Sequence, residues 1–135
     1  MDAVTLQTPD FALLIVDDEP LMTELFEKLM FKRGFAVLSA ASGEEALQIL
    51  EADAKAADLV ITDMTMPQMD GLALAAELLR RYPKLPVMLA TGHDADMSIA
   101  AGLPNVVSVV RKPYQHRALA ETIRSFLNAN QGAAD

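Results

Sequence analysis

The chain has no cysteine and few basic residues, and each absence narrows the possible functions. Without cysteine, disulfides, thiolate metal sites and thiol catalysis are excluded. Only 11 lysines and arginines accompany 19 acidic residues, and the net charge of −8 argues against direct binding of nucleic acid. The apolar stretches are far shorter than a membrane span, and the first residues lack the basic and apolar segments of a signal peptide. We therefore expect a cytoplasmic protein that does not bind a membrane.

The length and composition are those of one globular domain. The 135 residues are 52% hydrophobic and 22% charged, which is enough to form a single buried core. We see no internal repeat, interdomain linker or low-complexity segment. The sequence predicts an extension over residues 1–10, one domain over residues 11–129 and a tail over residues 130–135, with fraying expected from Asn128 onward.

Short apolar runs alternate with amphipathic segments along the chain. The runs predict five strands, at residues 11–16, 35–40, 59–62, 87–90 and 106–110. Five helices are predicted between and after them, of which the fourth, over residues 94–101, has a weak pattern. This alternation indicates an α/β fold with a doubly wound, five-stranded parallel sheet and right-handed crossovers. We expect the flavodoxin-like strand order 2-1-3-4-5.

Local signals mark where the first two helices begin. Pro20 suits the first turn of the first helix. The apolar positions of this helix include Leu21 and Leu25, which lie at helical spacing. Ser42 followed by Glu45 three residues later is a capping box for the second helix. These signals support the predicted alternation independently of the strand pattern.

Polar side chains follow the ends of four predicted strands: Asp17 and Asp18, then Asp63, Thr91 and Lys112. In an open parallel sheet, ligands bind at the carboxyl edge of the strands, near the point where the strand order reverses. Three carboxylates crowded there repel one another unless a cation joins them, and Mg²⁺ prefers such oxygen ligands. Lys112 can pair with a carboxylate or a phosphoryl oxygen, and Thr91 can donate a hydrogen bond. One carboxylate could then act as nucleophile and form an aspartyl phosphate.

The same residues are compatible with other interpretations. Asp17, Asp18 or Glu19 could cap the first helix, and Asp63 could be a turn residue. A Mg²⁺-dependent aspartyl-phosphate phosphohydrolase is the alternative function, although Thr65 stands two residues after Asp63 where such enzymes of the haloacid dehalogenase type carry a second aspartate. A flavin- or nucleotide-binding module is a third possibility, but acids follow the first strand where a phosphate-binding glycine loop is needed.

Four motifs resemble those of one family when they are taken in order. They are VDDEP, DMTMPQMDG, ATG and RKPY, and each lies at the end of a predicted strand. Over about residues 11–129 the chain resembles the receiver domain of two-component response regulators, either a single-domain regulator or the receiver of a hybrid histidine kinase. The resemblance implies a signalling domain that is not an enzyme, beyond assisting its own phosphorylation and dephosphorylation. Its expected partners are a sensor histidine kinase or a histidine phosphotransfer protein and an unidentified output partner.

The resemblance also assigns roles by position. Asp63 would be the phosphoacceptor, and Thr91 and Lys112 would bind the phosphoryl oxygens. The Mg²⁺ ligands would be Asp63, Asp17 partly through water, Asp18 directly and the backbone carbonyl of Thr65. A cis peptide bond is expected at Lys112-Pro113, where the proline lowers the cost of the cis form.

One position departs from the family pattern. Many receivers carry an aromatic residue three positions before the lysine, where this chain has Val109. Tyr114, on the other side of the lysine, is expected to pack in the core. Solvent-facing positions are expected for His93 and His116. The methionines that follow the predicted phosphoacceptor are expected to pack rather than to act as ligands; they are Met64, Met66 and Met69.

Overall fold

The computed structural model describes residues 9–92 and 102–134, with side chains up to residue 130. The strands are β1 (Phe11–Val16), β2 (Phe35–Ala40), β3 (Leu59–Asp63), β4 (Val87–Thr91) and β5 (Val106–Arg111). Within the described residues the helices are α1 (Pro20–Phe31), α2 (Gly43–Ala52), α3 (Gly71–Arg81) and α4 (His116–Ala134). The helix predicted over residues 94–101 lies outside the described part of the chain, so four of the five expected helices are observed.

The sheet confirms the predicted topology. Its five strands are parallel and follow the order β2-β1-β3-β4-β5. One apolar cluster includes Phe26, Met30 and Ile123, from α1 and α4. A second, on the other face, includes Leu50 and Leu74, from α2 and α3. Because both faces are covered, the central strands are mostly apolar, and their polar residues Thr62, Asp63 and Thr91 lie toward the carboxyl ends.

The predicted carboxyl ends of β3, β4 and β5 are each short by one residue. Asp63 is the last residue of β3 and pairs with Ala90, while Thr91 is the last residue of β4 and pairs with Arg111. Both polar side chains therefore leave from backbone that is still hydrogen-bonded within the sheet, which fixes them more firmly than a loop would. At the carboxyl end of the chain, α4 continues to Ala134, into the segment that the sequence predicted as a tail.

Helix α1 differs from the sequence prediction in two respects. Its N-cap residue is Glu19, which makes no side-chain capping bond. The Asp17 carboxylate accepts a hydrogen bond from the Glu19 N–H at 3.0 Å. Glu19 occupies the N-cap position, one of the predicted alternatives, but its side chain does not make a capping bond. The apolar face is also narrower than expected, because Leu21 is 79% exposed and Leu25 48% exposed. The helix turns Phe26 and Met30 toward the core, and this leaves Leu21 and Leu25 in solvent.

The next two helices begin as their sequences indicate. The Ser42 hydroxyl accepts a hydrogen bond from the Glu45 N–H at 3.1 Å, which confirms the capping box at α2. At α3, the Asp70 carboxylate accepts from the Ala73 N–H at 2.8 Å. Among the described residues no helix has the length and apolar character needed to span a membrane.

Candidate functional site

The predicted site residues meet at the carboxyl edge of the sheet. Asp17 follows β1 directly, Asp63 ends β3, Thr91 ends β4 and Lys112 follows β5. Since β1 and β3 are neighbours in the sheet, their acids approach one another across a single strand spacing. The Lys112 N–H donates to the Thr91 carbonyl at 2.8 Å, which joins the ends of the other two strands.

The three aspartates form a compact cluster. Oxygen atoms of Asp17, Asp18 and Asp63 lie within 4.8 Å of one another. Asp17 is 1% exposed and Asp63 is 8% exposed, whereas Asp18 faces solvent. Two buried carboxylates at this separation are stable only when positive charge or hydrogen-bond donors compensate them.

Lys112 supplies part of that compensation. Its ammonium Nζ lies 3.0 Å from Asp17 Oδ2 and 3.3 Å from Asp63 Oδ2, so one cation bridges both buried acids. Burial alone would lower the pKa of Lys112, but the hydrogen bond to Asp17 and the charges of Asp17 and Asp63 outweigh it and raise this pKa above its ordinary value. Lys112 is therefore charged throughout the neutral range.

Each buried carboxylate divides its two oxygens between Lys112 and the backbone. Asp17 Oδ1 accepts from the Glu19 N–H at 3.0 Å. Asp63 Oδ1 accepts from the Thr65 N–H at 3.3 Å. Among the described residues, Asp18 makes no hydrogen bond or ion pair, so its exposed carboxylate has the most freedom to bind a cation.

The donor set suits Mg²⁺. Three carboxylates and a nearby backbone carbonyl offer the hard oxygen ligands this ion prefers, and the exposed side of Asp18 leaves room for the waters it retains. The Thr65 N–H donates a hydrogen bond to the Asp63 carboxylate, so the backbone of Thr65 lies beside this acid. This position is compatible with the predicted role of the Thr65 carbonyl as a Mg²⁺ ligand.

Two residues that the sequence interpretation missed enclose the backbone of Asp63. The hydroxyl of Thr62, which is fully buried, donates to the Asp63 carbonyl at 3.1 Å. Gly71, the first residue of α3, is packed so closely that an added Cβ would lie 2.4 Å from the same carbonyl oxygen. The only available signal was the Asp70-Gly71 pair at the start of a helix, and it does not reveal which atoms lie opposite.

The segment after Lys112 enters the core. The Lys112-Pro113 peptide bond is cis, as expected. Tyr114 is 7% exposed and packs edge-on against Phe26, with ring centroids 5.5 Å apart, which confirms its packing role. Burial, followed by the charges of Asp17 and Asp63, raises the pKa of Tyr114.

The other side-chain predictions have mixed outcomes. The expectation for His116 was wrong, because its ring is half-buried between Phe26 and Tyr114 rather than in solvent. Val109 is half-buried and packs against the apolar cluster under α2 and α3. The methionines after Asp63 pack as expected, Met66 in the core and Met64 and Met69 against it. His93 lies outside the described residues.

Known proteins are similar to this chain in sequence and in structure. The family described as the response regulator receiver domain matches residues 13–124. The transcriptional regulatory protein GlrR of Escherichia coli K12 is 36% identical over 124 residues, which are 91% of this chain and 28% of that protein. The chain thus spans less than a third of the length of this relative.

Solved structures agree with the sequence match. A response regulator receiver domain protein from Clostridium thermocellum superimposes with a TM-score of 0.81 and 31% identity, over 90% of this chain and 97% of that one. The response regulator TrrA from Thermotoga maritima, solved in complex with Mg²⁺ and BeF, gives a TM-score of 0.75 and 28% identity, over 85% of this chain and 97% of that one.

Proposed function

Because the chain belongs to the family of response regulator receiver domains, we propose that Asp63 accepts a phosphoryl group in a Mg²⁺-dependent reaction and thereby switches partner binding. The observation that carries this proposal is the bridge from Lys112 to Asp17 and Asp63 beside a third carboxylate, Asp18. Such a bridge holds a nucleophile, a cation site and a mobile positive charge together. The proposed donor of the phosphoryl group is the phosphohistidine of a sensor histidine kinase or of a histidine phosphotransfer protein.

In the proposed reaction an Asp63 carboxylate oxygen attacks the phosphorus atom. A P–O bond forms, the P–N bond of the phosphohistidine breaks, and its electron pair returns to the imidazole nitrogen. A ring that is protonated at its other nitrogen therefore leaves as neutral imidazole. With acetyl phosphate as donor, the P–O bond to the acetyl group breaks and acetate leaves with the electron pair.

The residues around Asp63 provide orientation and charge. The Thr65 N–H holds Oδ1, which fixes the rotation of the carboxylate and leaves Oδ2 toward Lys112. As charge develops on the phosphoryl oxygens, Lys112 can exchange its contact with Asp63 for one of them, and Thr91 can donate its hydroxyl to another. Mg²⁺ held by the three aspartates and the Thr65 carbonyl would neutralise further charge on the transferring group.

The proposed role is signalling rather than turnover of a substrate. The chemistry is confined to phosphorylation and dephosphorylation of Asp63, and the output is a change of surface that a partner reads. Movement of Thr91 toward the phosphoryl group is the first step of that change. Since Val109 is small and stiff, the aromatic rotation usual in the family has no counterpart there. The shift is proposed to spread instead through the segment from Thr91 to Gly102, of which residues 93–101 lie outside the described part of the chain. A cytoplasmic location fits a kinase partner and remains a prediction.

Intact-mass measurement tests the proposed acceptor. With Mg²⁺ and acetyl phosphate, wild type is expected to gain one base-labile phosphoryl group, and Asp63→Asn none. The control is Asp53→Asn, since Asp53 is an exposed acid at the end of α2, at the opposite edge of the sheet. Labelling of Asp63→Asn equal to wild type would show that the acceptor is another residue.

A further inference from the structure

The carbonyl oxygen of Asp63 is enclosed by two residues that take no part in the acid cluster. The Thr62 hydroxyl donates to it at 3.1 Å from within the core. From the side of α3, Gly71 places its backbone against the same peptide, and its N–H donates to the Met64 carbonyl at 3.0 Å. The peptide that carries the proposed nucleophile is thus fixed to the start of a helix.

The approach of Gly71 leaves no room for a side chain. An added Cβ would lie 2.4 Å from the Asp63 carbonyl oxygen and 2.9 Å from the Met64 Cα. Carbon atoms in proteins pack at about 3.5–4.0 Å, so these distances require a shift of roughly 1 Å. The opposing atoms are backbone, and no side-chain rotation can relieve the overlap.

The peptide has little freedom to move away. On the sheet side, the Met64 N–H donates to the Ala90 carbonyl at 2.8 Å, which ties it to β4. A displacement that clears a Cβ at Gly71 therefore breaks this bond or rotates the Asp63 backbone. Either change alters the 3.3 Å contacts of the Asp63 carboxylate with Lys112 and Thr65.

We propose that Gly71 and Thr62 are positioning residues for Asp63: they hold its peptide between α3 and the sheet, so that the carboxylate is presented in the orientation for attack. The inference rests on the proposed function of Asp63 as nucleophile. Misplacement of a reacting group by about 1 Å can cost on the order of a hundredfold in rate. Gly71→Ala is expected to slow phosphorylation at least about tenfold by this effect.

The chain provides a matched control for Gly71→Ala. Gly43 is also the first residue of its helix and follows a capping residue, so alanine at either position changes helix propensity equally. A Cβ at Gly43 would meet the Met69 Sδ at 2.6 Å, which is the far end of a flexible side chain that can turn away. Only Gly71→Ala presses on the backbone of Asp63.

Thr62 provides a second, independent pair of variants. Thr62→Val keeps the shape and removes the hydroxyl, whereas Thr62→Ser keeps the hydroxyl and removes a methyl group. If the hydrogen bond to the Asp63 carbonyl positions the nucleophile, serine retains most of the phosphorylation rate and valine does not. A packing role for the methyl group predicts the reverse order.

The experiment measures initial rates of phosphorylation by acetyl phosphate with saturating Mg²⁺, together with thermal unfolding midpoints and amide NMR spectra. We expect slower labelling in Gly71→Ala and Thr62→Val, wild-type rates in Gly43→Ala and near wild-type rates in Thr62→Ser. Amide shifts are expected at Asp63, Met64 and Thr65 in the slow variants, in protein that remains folded.

Two kinds of failure can be told apart. If wild type is labelled on Asp63 but Gly71→Ala matches its rate, or if Thr62→Ser is as slow as Thr62→Val, the positioning inference is overturned alone. If wild type gains no label, or Asp63→Asn gains as much, the proposed function falls and the inference falls with it.

Discussion

Replacing Lys112 by methionine tests how the acid cluster is held together. Methionine keeps the aliphatic stem but removes the charge that lies 3.0 Å from Asp17 Oδ2 and 3.3 Å from Asp63 Oδ2. Asp17 is 1% exposed, so it remains buried with a single backbone donor, the Glu19 N–H. Removing one partner of a buried ion pair costs about 3–5 kcal/mol. Without Mg²⁺ we therefore expect Lys112→Met to lower the free energy of unfolding by about this amount.

The same variant predicts an unusual response to Mg²⁺. With no ammonium between them, the acids repel one another, and a divalent cation relieves this repulsion. Mg²⁺ is therefore expected to bind Lys112→Met more tightly than wild type and to stabilise it more at the same Mg²⁺ concentration, by about 1.4 kcal/mol for each tenfold difference in Kd. Because the folded-state pKa of Lys112 is raised, its stabilisation is complete below the ordinary lysine pKa and is lost only as pH rises through the raised value. The difference between the proteins is thus expected to be constant from pH 7 to pH 9.

Urea unfolding in EDTA and in Mg²⁺ measures both effects. Lys28→Ala is the control, because Lys28 pairs with Glu24 at 3.6 Å on the exposed surface of α1, where such a pair contributes about 0.3–0.5 kcal/mol. A Lys112→Met protein as stable as the control in EDTA would refute the view that Lys112 compensates buried charge. Equal stabilisation of variant and wild type by Mg²⁺ would contradict the predicted competition between the Lys112 ammonium and the cation.

Two further predictions concern the metal and the pH dependence. Asp18→Asn is expected to weaken Mg²⁺ binding about tenfold or more, as measured by calorimetry, because it removes the most accessible carboxylate. Asp17→Asn is expected to weaken Mg²⁺ binding less but to lower the free energy of unfolding more, because Asp17 is buried. Unchanged Mg²⁺ affinity in Asp18→Asn would contradict its assignment as a ligand. Burial, followed by the positive charge of Arg33, lowers the pKa of His116. The stability that depends on its neutral ring is therefore present above the ordinary histidine pKa and is lost as the pH falls through the lowered pKa. Between pH 7 and pH 5 the urea midpoint of wild type should fall more than that of His116→Phe, whose ring can still pack against Tyr114. If the urea midpoints of the two proteins fall in parallel with pH, His116 makes no contribution to the pH dependence.

Periodicity in the sequence was sufficient to predict the architecture. The predicted bounds of β1 and β2 match the structure, and the uninterrupted apolar run of β1 indicated a sheet that is covered on both faces. It was less informative about which side of a helix faces the core, since α1 is apolar around more of its circumference than it buries. Leu21 and Leu25 satisfy helical spacing, yet they lie in solvent because Phe26 and Met30 occupy the space against the sheet.

The acid cluster could be predicted because topology alone brings the strand ends together. The support around it could not, since it depends on approaches between backbone atoms that no spacing encodes. Thr62 reads as an ordinary strand residue and Gly71 as an ordinary turn glycine, and their shared contact with the Asp63 carbonyl exists only in three dimensions. The position of His116 could not be predicted for a related reason, because its ring contact with Phe26 joins residues that are far apart in the sequence.

The charges at the site explain why phosphorylation of Asp63 would act as a switch. Three carboxylates and the single ammonium of Lys112 leave two negative charges uncompensated, which one divalent cation balances. Conversion of the Asp63 carboxylate to an aspartyl phosphate adds up to about one further negative charge and places strong acceptor oxygens farther from the backbone. If Lys112 followed these oxygens and gave up its 3.0 Å contact with Asp17, the buried Asp17 would depend more on the cation. A hydroxyl on the neighbouring strand could donate a hydrogen bond to one of these oxygens, and Thr91 is the hydroxyl residue that ends β4. In the proposed mechanism, electrostatic balance would therefore couple the chemistry at Asp63 to movement at the ends of both β4 and β5.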